Sequence, residues 1–383
     1  MSGVLVVSFT DFASDPRVDR QIRILRTRHE ILAAGLGPPR YDVNEFITLS
    51  TPPRTKLGRA RGLVQLLARR YEAVYWNHPT NVAALERLRH VRADVVVAND
   101  IETLPIALRL GSPVVFDAHE YAPAQFADLR WWRALISPYV RWQCRRYIPQ
   151  VSAMTTASYG FADEYERETG VRATVVSNAP PRADLEPTPV HEPVRILHHG
   201  VANRGRGLAE MIRLAELLDE RFTVDLVLAR GVPGYRDELI RRARGNPRVR
   251  FPEPQPMHTL AKMANDYDIG VSLLPPVNFS HFHALPNKFF EYVQGRLAVA
   301  IGPSPEMARL MHQYGCGIVA DDFAPETLAA ALNALDASTI AAFKSASHAA
   351  ANELCAENNE ELVLSAVEDA LARSDAARAP APR

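Results

Sequence analysis

Cysteine is scarce: Cys144, Cys316 and Cys355 are the only three in 383 residues. Spacing so wide excludes a zinc knuckle and a number so small excludes a disulfide framework, which suits a reducing cytoplasm. Long apolar runs are lacking as well. None reaches membrane-spanning length, and the N-terminal MSGVLVVSFTDF has no basic region ahead of its apolar residues and meets Asp11 too early for a signal peptide. Neither charge is in excess, with 44 Lys and Arg against 44 Asp and Glu, so no surface for tracking nucleic acid is implied. The first half is mildly basic and the second mildly acidic. Two common phosphate-binding signatures are also missing: no Lys-Ser/Thr closes a Walker loop, and no dinucleotide fingerprint follows a strand.

What is present is alternation. A chain of this length with 47% hydrophobic residues can bury two cores. Short β-branched runs at 4–8, 31–34, 94–98, 113–116, 153–156 and 174–176 read as buried parallel strands with helices between them. One of those helices is opened by Asp15-Pro16, and another is the basic stretch 56–71. Between Asn178 and Pro193 five prolines mark a linker. The series then restarts with strands at 194–198, 224–229, 249 and 269–274, and helices between and after them. This predicts an α/β chain of two Rossmann-like, doubly wound domains facing a central cleft: an N-terminal domain 1–177, a linker 178–193 and a C-terminal domain 194–356. A C-terminal helix 357–373 and a disordered tail 374–383 complete it.

The chemistry gathers around PNKFFEYVQGRLAVAIGP, residues 286–303, which reads as a helix followed by a buried strand. Pro286 suits the first turn and Gly295 ends the helix; Phe289 and Val293 share the core face, while Lys288 and Glu291, three apart, share another. An ammonium and a carboxylate near the positive end of a helix fit a ligand that carries both a diphosphate and ribose hydroxyls. An intrahelical ion pair on an ordinary amphipathic helix is the simpler reading of the segment alone. The stretch from Gly200 to Gly207 places Arg204 and Arg206 among glycines between a strand and a helix, a second anion site. His119, with Asp117 and Glu120 beside it, falls at a strand carboxyl end, where ligands of doubly wound sheets collect. Asp266-Tyr267-Asp268 matches a two-carboxylate metal pattern but leads into an apolar strand, where capping a turn is the better reading. His281 and His283 lack a third ligand, so no metal site is expected. Between Leu129 and Ala162 there is no acidic residue, and tryptophans, tyrosines and arginines interleave. Residues 129–149 suit either an anionic membrane surface or a core helix with snorkelling arginines, of which the core is preferred.

Six short motifs in order, Asp15-Pro16-Arg17-Val18, Asp117-Ala118-His119-Glu120, Ser177-Asn178-Ala179-Pro180, Arg206-Gly207-Leu208, Tyr267-Asp268-Ile269-Gly270 and Pro286-Asn287-Lys288-Phe289-Phe290-Glu291-Tyr292, resemble those of glycosyltransferases of family four. The resemblance implies the GT-B fold. It also implies transfer from a nucleoside diphosphate sugar to a hydroxyl with retention of configuration, no metal ion and no cofactor beyond that co-substrate. It implies that Gly200, Arg204, Arg206, His283, Asn287, Lys288 and Glu291 bind the donor, with Glu291 on ribose. Asp11, Arg17, Asp100 and Glu120 fall on the acceptor side, and His119, Arg206 and Lys288 carry the catalysis. The last helix is expected to cross back to the first domain. Two departures stand out: His283 occupies the position of the first glutamate of a paired-glutamate motif, and Thr10-Asp11-Phe12 and Val201 replace a glycine pair and an arginine. The acceptor is expected to be a sugar, a lipid-linked saccharide or a small molecule, with a place in polysaccharide, glycolipid or glycosylated-metabolite synthesis. The expected location is the cytoplasm, with peripheral contact to the inner face of the membrane through 129–149 as an addition. A sugar-nucleotide epimerase of the same fold and a non-catalytic partner module are the alternatives.

Overall fold

A computed structural model describes the backbone of residues 2–378 and side chains to residue 373. The chain divides into two compact units, one of residues up to Val176 together with Asn278–Ser280 and the chain from Asn359 onward, the other of Ser177–Val277 and His281–Asn358.

In the first unit seven strands form one sheet: β1 (Gly3–Val7), β2 (Glu30–Gly35), β3 (Glu45–Thr48), β4 (Val95–Asn99), β5 (Val114–Ala118), β6 (Ala153–Thr156) and β7 (Thr174–Val175). They lie in the order β3-β2-β1-β4-β5-β6-β7, every pair parallel. The unbroken apolar runs have the cause inferred for them, since both faces are covered. Leu5 and Val7 join one buried cluster with Phe116, and Val4 and Val6 join another with Val18 and Ile22. That second cluster also takes in Val363, Leu364, Val367 and Ala370 of the last helix, Ala356–Arg378. The helix therefore continues into the alanine-rich start of the stretch 374–383, expected to be without structure; residues 379–383 lie outside the described residues.

The second unit repeats the plan with β8 (Val194–Val201), β9 (Phe222–Ala229), β10 (Val249–Arg250), β11 (Ile269–Ser272), β12 (Ala298–Ile301) and β13 (Gly317–Val319). Their order is β10-β9-β8-β11-β12-β13, again all parallel. In both sheets the first strand of the unit is central and the order reverses beside it, between β1 and β4 and between β8 and β11. The loops at the carboxyl ends of those strands part there and leave a crevice.

Three differences from the sequence reading have local causes. The edge strands β3 and β13 and the helix Pro305–Tyr314 were not legible, because four or three residues show no period and two prolines around 303–305 read as a boundary. The basic helix ends at Leu67 rather than Tyr71: Arg69 is left-handed (φ 54°) and Arg70 N–H returns 2.8 Å to the Gln65 carbonyl, and a separate helix, Tyr71–Trp76, follows. Pro286 stands one residue before its helix, Asn287–Gln294, with extended backbone, and not within the first turn.

Candidate functional site

In the second unit β8 carries His198, His199 and Gly200 just before its last residue, Val201; a single turn follows over Arg204–Arg206, and Gly207 introduces the helix Leu208–Leu217. Gly207 is left-handed (φ 62°), and a Cβ there would lie 3.0 Å from Pro275 and 3.1 Å from the Leu273 carbonyl, so glycine lets the loop lie close against the end of β11. Asn287 opens the neighbouring helix, half-buried, and Lys288 follows. The Lys288 Nζ lies under Gly200, at 3.4 Å from where a Cβ would stand, and 3.4 Å from His198 Nε2. His198 Nδ1 faces the Val271 carbonyl at 2.9 Å. A carbonyl only accepts, so Nδ1 carries the proton and Nε2 presents its lone pair to the ammonium. Burial, and then the Lys288 ammonium, hold His198 well below the usual histidine range, which keeps it neutral.

One turn on, Glu291 is buried, and its Oε2 lies 3.3 Å from His199 Nε2. Burial and then Lys288 lower His199 to about 3, so this imidazole too is neutral. Between them, Tyr292 packs edge-on against the His199 ring at 5.1 Å, donates to the Val271 carbonyl at 3.2 Å and lies flat on Gly270, where any Cβ would meet its ring at 2.3 Å. The helix is thus fixed on β11, and Lys288 and Glu291 are carried by a rigid element. Burial, then the Arg206 charge, bring the Lys288 ammonium down to about 7, with Glu291 too weak to reverse it. A cation that gives up its proton so readily lacks sufficient anionic charge around it.

The remaining donor-side residues fall into two groups. Arg206 is exposed and, among the described residues, has no ion-pair partner, whereas Arg204 is paired with Glu238 and stacked 4.5 Å over Tyr235. His283 is half-buried with Nδ1 3.4 Å from the carboxylate of Glu306, itself buried at the start of the helix Pro305–Tyr314. His198, His199 and Glu306 were not singled out from the sequence; two adjacent histidines ending an apolar strand were the available signal. Asp268 does not cap a turn into solvent: it is fully buried, accepts from the Arg195 backbone N–H at 2.9 Å and lies 3.0 Å from Lys344 Nζ. Among the described residues no group of three or more His, Cys, Asp or Glu is placed to hold a metal ion.

In the first unit the carboxyl ends of β4 and β5 bring Asn99, Asp100 and His119 together. His119 Nε2 is 3.2 Å from Asn99 Oδ1, and Nδ1 is 3.3 Å from Asp100 Oδ2. Asp100 is itself left-handed (φ 62°), a conformation that short polar residues tolerate. Beneath them Arg17 and Asp117 form a buried bidentate pair, at 2.8 and 2.5 Å, and Thr155 donates to Asp117 as well. Burial pushes the Asp117 carboxyl up, but the Arg17 guanidinium outweighs it and holds the group below the usual range. Arg17 also donates to the Val176 carbonyl at 2.9 Å, so its guanidinium supports the floor of the cluster. Asp11, in the loop after β1, and Glu120, in the loop after β5, are exposed, and Tyr165 donates to the Glu120 carbonyl at 2.8 Å. The segment 129–149 forms a π-helical turn, Trp132–Ile136, and the helix Ser137–Tyr147. Val140, Cys144 and Tyr147 are buried, while Arg141 and Arg145 reach the buried carboxylate of Glu168.

No protein-family model matches the sequence, and no curated protein does either. Solved structures do. The sucrose-phosphate synthase of Thermosynechococcus elongatus matches with a TM-score of 0.72 at 12% identity, over 99% of this chain and 100% of that one. Anabaena HepE, solved with UDP and glucose, matches with a TM-score of 0.67 at 14% identity, over 95% of this chain and 99% of that one. The UDP-forming trehalose-phosphate synthase of Burkholderia vietnamiensis matches at 0.66 and 13% identity, over 96% and 100%. The chain has the GT-B fold. Agreement along whole chains at so low an identity makes each unit a GT-B Rossmann-like domain, with the Lys288 helix and the Gly200 loop at the topological switch point of the second.

Proposed function

We propose that this GT-B chain is a glycosyltransferase that moves a sugar from a nucleoside diphosphate sugar to an acceptor hydroxyl, with retention and without a metal ion. The observation that carries the reading is the Lys288 ammonium, held under Gly200 at the start of a helix, where burial and then the Arg206 charge bring it down to about 7. Such a place is completed by an anion with at least two charges. A diphosphate supplies them, and Glu291, one turn along, is an acceptor suited to a ribose diol. The fold shared with structures solved with UDP and glucose supports the same assignment.

In this reading the second unit binds the donor. Arg206 and Lys288 neutralise the charge that develops as the diphosphate leaves, the part a divalent cation plays in other transferases. His283, set against Glu306, faces the donor sugar at the place of the family's first glutamate. The acceptor belongs to the first unit, where Asn99 and Asp100 orient His119, and Arg17 with Asp117 holds the strand ends on which they sit. No nucleophile from the protein is assigned, since retention is accounted for by attack on the face from which the diphosphate departs. Family four, with an acceptor drawn from saccharides, lipid-linked saccharides or small metabolites, is the assignment that the ordered motifs support.

The test is thermal stabilisation by a panel of nucleoside diphosphates and sugar nucleotides in EDTA, followed by turnover with an acceptor panel. Ligand at about one hundred times its dissociation constant adds roughly 2.7 kcal/mol. A selective shift and acceptor-dependent release of nucleoside diphosphate are expected in EDTA. Release of an altered sugar nucleotide without acceptor would make the protein an epimerase. Binding with no turnover would favour the second reading, a non-catalytic module, to which His283 in place of a glutamate gives weight.

A further inference from the structure

The helix Lys56–Leu67 is built the wrong way round for a surface helix. At 100° per residue, Leu57, Ala60, Leu63, Val64 and Leu67 fall on one face, which ordinarily turns inward. Here it turns outward: Leu57, Leu63, Val64 and Leu67 are 80, 50, 64 and 61% exposed. The side laid on the protein carries Gly58, Gly62, Gln65 and Leu66 instead, and the Arg54 guanidinium rests on Gly62, where a Cβ would stand 2.0 Å from its Nη2. Thr55 caps the helix, accepting from Gly58 N–H at 3.0 Å. An apolar stripe of this kind, exposed across three turns, exceeds the scattered single residues that need no explanation.

The local sequence is basic. No acidic residue occurs between Glu45 and Glu72, whereas Arg54, Lys56, Arg59, Arg61, Arg69 and Arg70 do, with Arg59 and Arg61 on the two flanks of the apolar face. Beyond the end of the helix Arg69 lines a cavity of about 500 Å³ with Tyr71, Arg141, Trp142, Arg145 and Arg146. We infer that this face is a docking surface for an anionic lipid bilayer: the leucines enter the acyl boundary, Arg59 and Arg61 meet headgroup phosphates, and Arg69 and Arg146 at the cavity, whose Arg141 and Arg145 are paired with Glu168, seat one more. A stripe flanked by cations on both sides is the pattern of a helix that lies in an interface plane. Among the described residues no helix is long and apolar enough to cross a membrane, so the contact is peripheral. The segment differs from 129–149, whose helix is packed into the unit by Val140, Cys144 and Tyr147.

The experiment is flotation of the full chain with phosphatidylcholine vesicles, with and without phosphatidylglycerol, at low and high salt. Wild type should float with the anionic vesicles only and be released by salt. Leu63→Ser with Leu67→Ser, and separately Arg59→Glu with Arg61→Glu, should each weaken binding at least about tenfold, with unchanged melting temperature because all four side chains are exposed. Light scattering without lipid covers the rival occupant, a second copy of the chain. A wild-type dimer made monomeric by the serine pair would overturn the inference, as would binding to neither vesicle or equally to both. Binding that both pairs leave intact would overturn it too.

Discussion

The Lys288 ammonium gives a prediction whose sign and size both follow from its position. In the free protein it titrates at about 7, because burial and the Arg206 charge disfavour the protonated form. A bound diphosphate reverses the balance and returns it toward the ordinary lysine value of about 10.4. The ligand therefore binds the protonated form. Below pH 7 that form already dominates and affinity is flat. Above it each pH unit requires one more tenfold fraction of protein to take up a proton on binding, so the dissociation constant rises about tenfold per unit, or about 1.4 kcal/mol. At pH 8 a net proton uptake should accompany sugar nucleotide binding. UDP-glucose is a suitable probe, since its diphosphate diester does not titrate in this range. Calorimetry in buffers of different ionisation enthalpy reads the proton number directly. Lys288→Arg should bind without uptake, keeping the charge and losing the titration. If wild type took up no proton at pH 8, or the arginine variant took up as much, the diphosphate would not be meeting this ammonium and the assignment would fail.

Three further outcomes are expected. Arg206→Ala should lower kcat on the order of a hundredfold with an unchanged melting temperature, because the side chain is exposed and, among the described residues, has no ion-pair partner; a large drop in melting temperature would make the residue structural instead. Glu291→Gln should weaken nucleoside diphosphate binding by the worth of hydrogen bonds to a charged group, about 1.5–3 kcal/mol, while leaving binding of the dideoxy analogue nearly as it was; equal losses for both would remove Glu291 from the ribose. Asp117→Asn breaks a buried pair and should cost about 3–5 kcal/mol in denaturant titrations near neutrality. Because the folded state holds Asp117 below the usual carboxylate range, the stabilisation is present above that range and lost as pH falls through the depressed value. The gap between variant and wild type should therefore narrow in acid, and a variant as stable as wild type at pH 7 would contradict the pairing.

The sequence by itself determined whatever depends on near neighbours. β-Branched runs such as Val95-Val96-Val97 are apolar on both faces, which only a covered parallel strand requires, so most of both sheets was legible. The spacing of Lys288 and Glu291 and the glycines around Arg206 were legible for the same reason, since helix and loop geometry is local. Only the tertiary structure decided what lies across a sheet. His198 meets Lys288 from a strand 90 residues away, and Arg17 meets Asp117 across 100 residues, because the reversal of strand order sets side by side segments that the chain keeps apart. It also decided which side of Lys56–Leu67 is buried. A period of 3.6 residues puts the leucines on one face, but glycines that allow close approach on the opposite face turned that stripe outward.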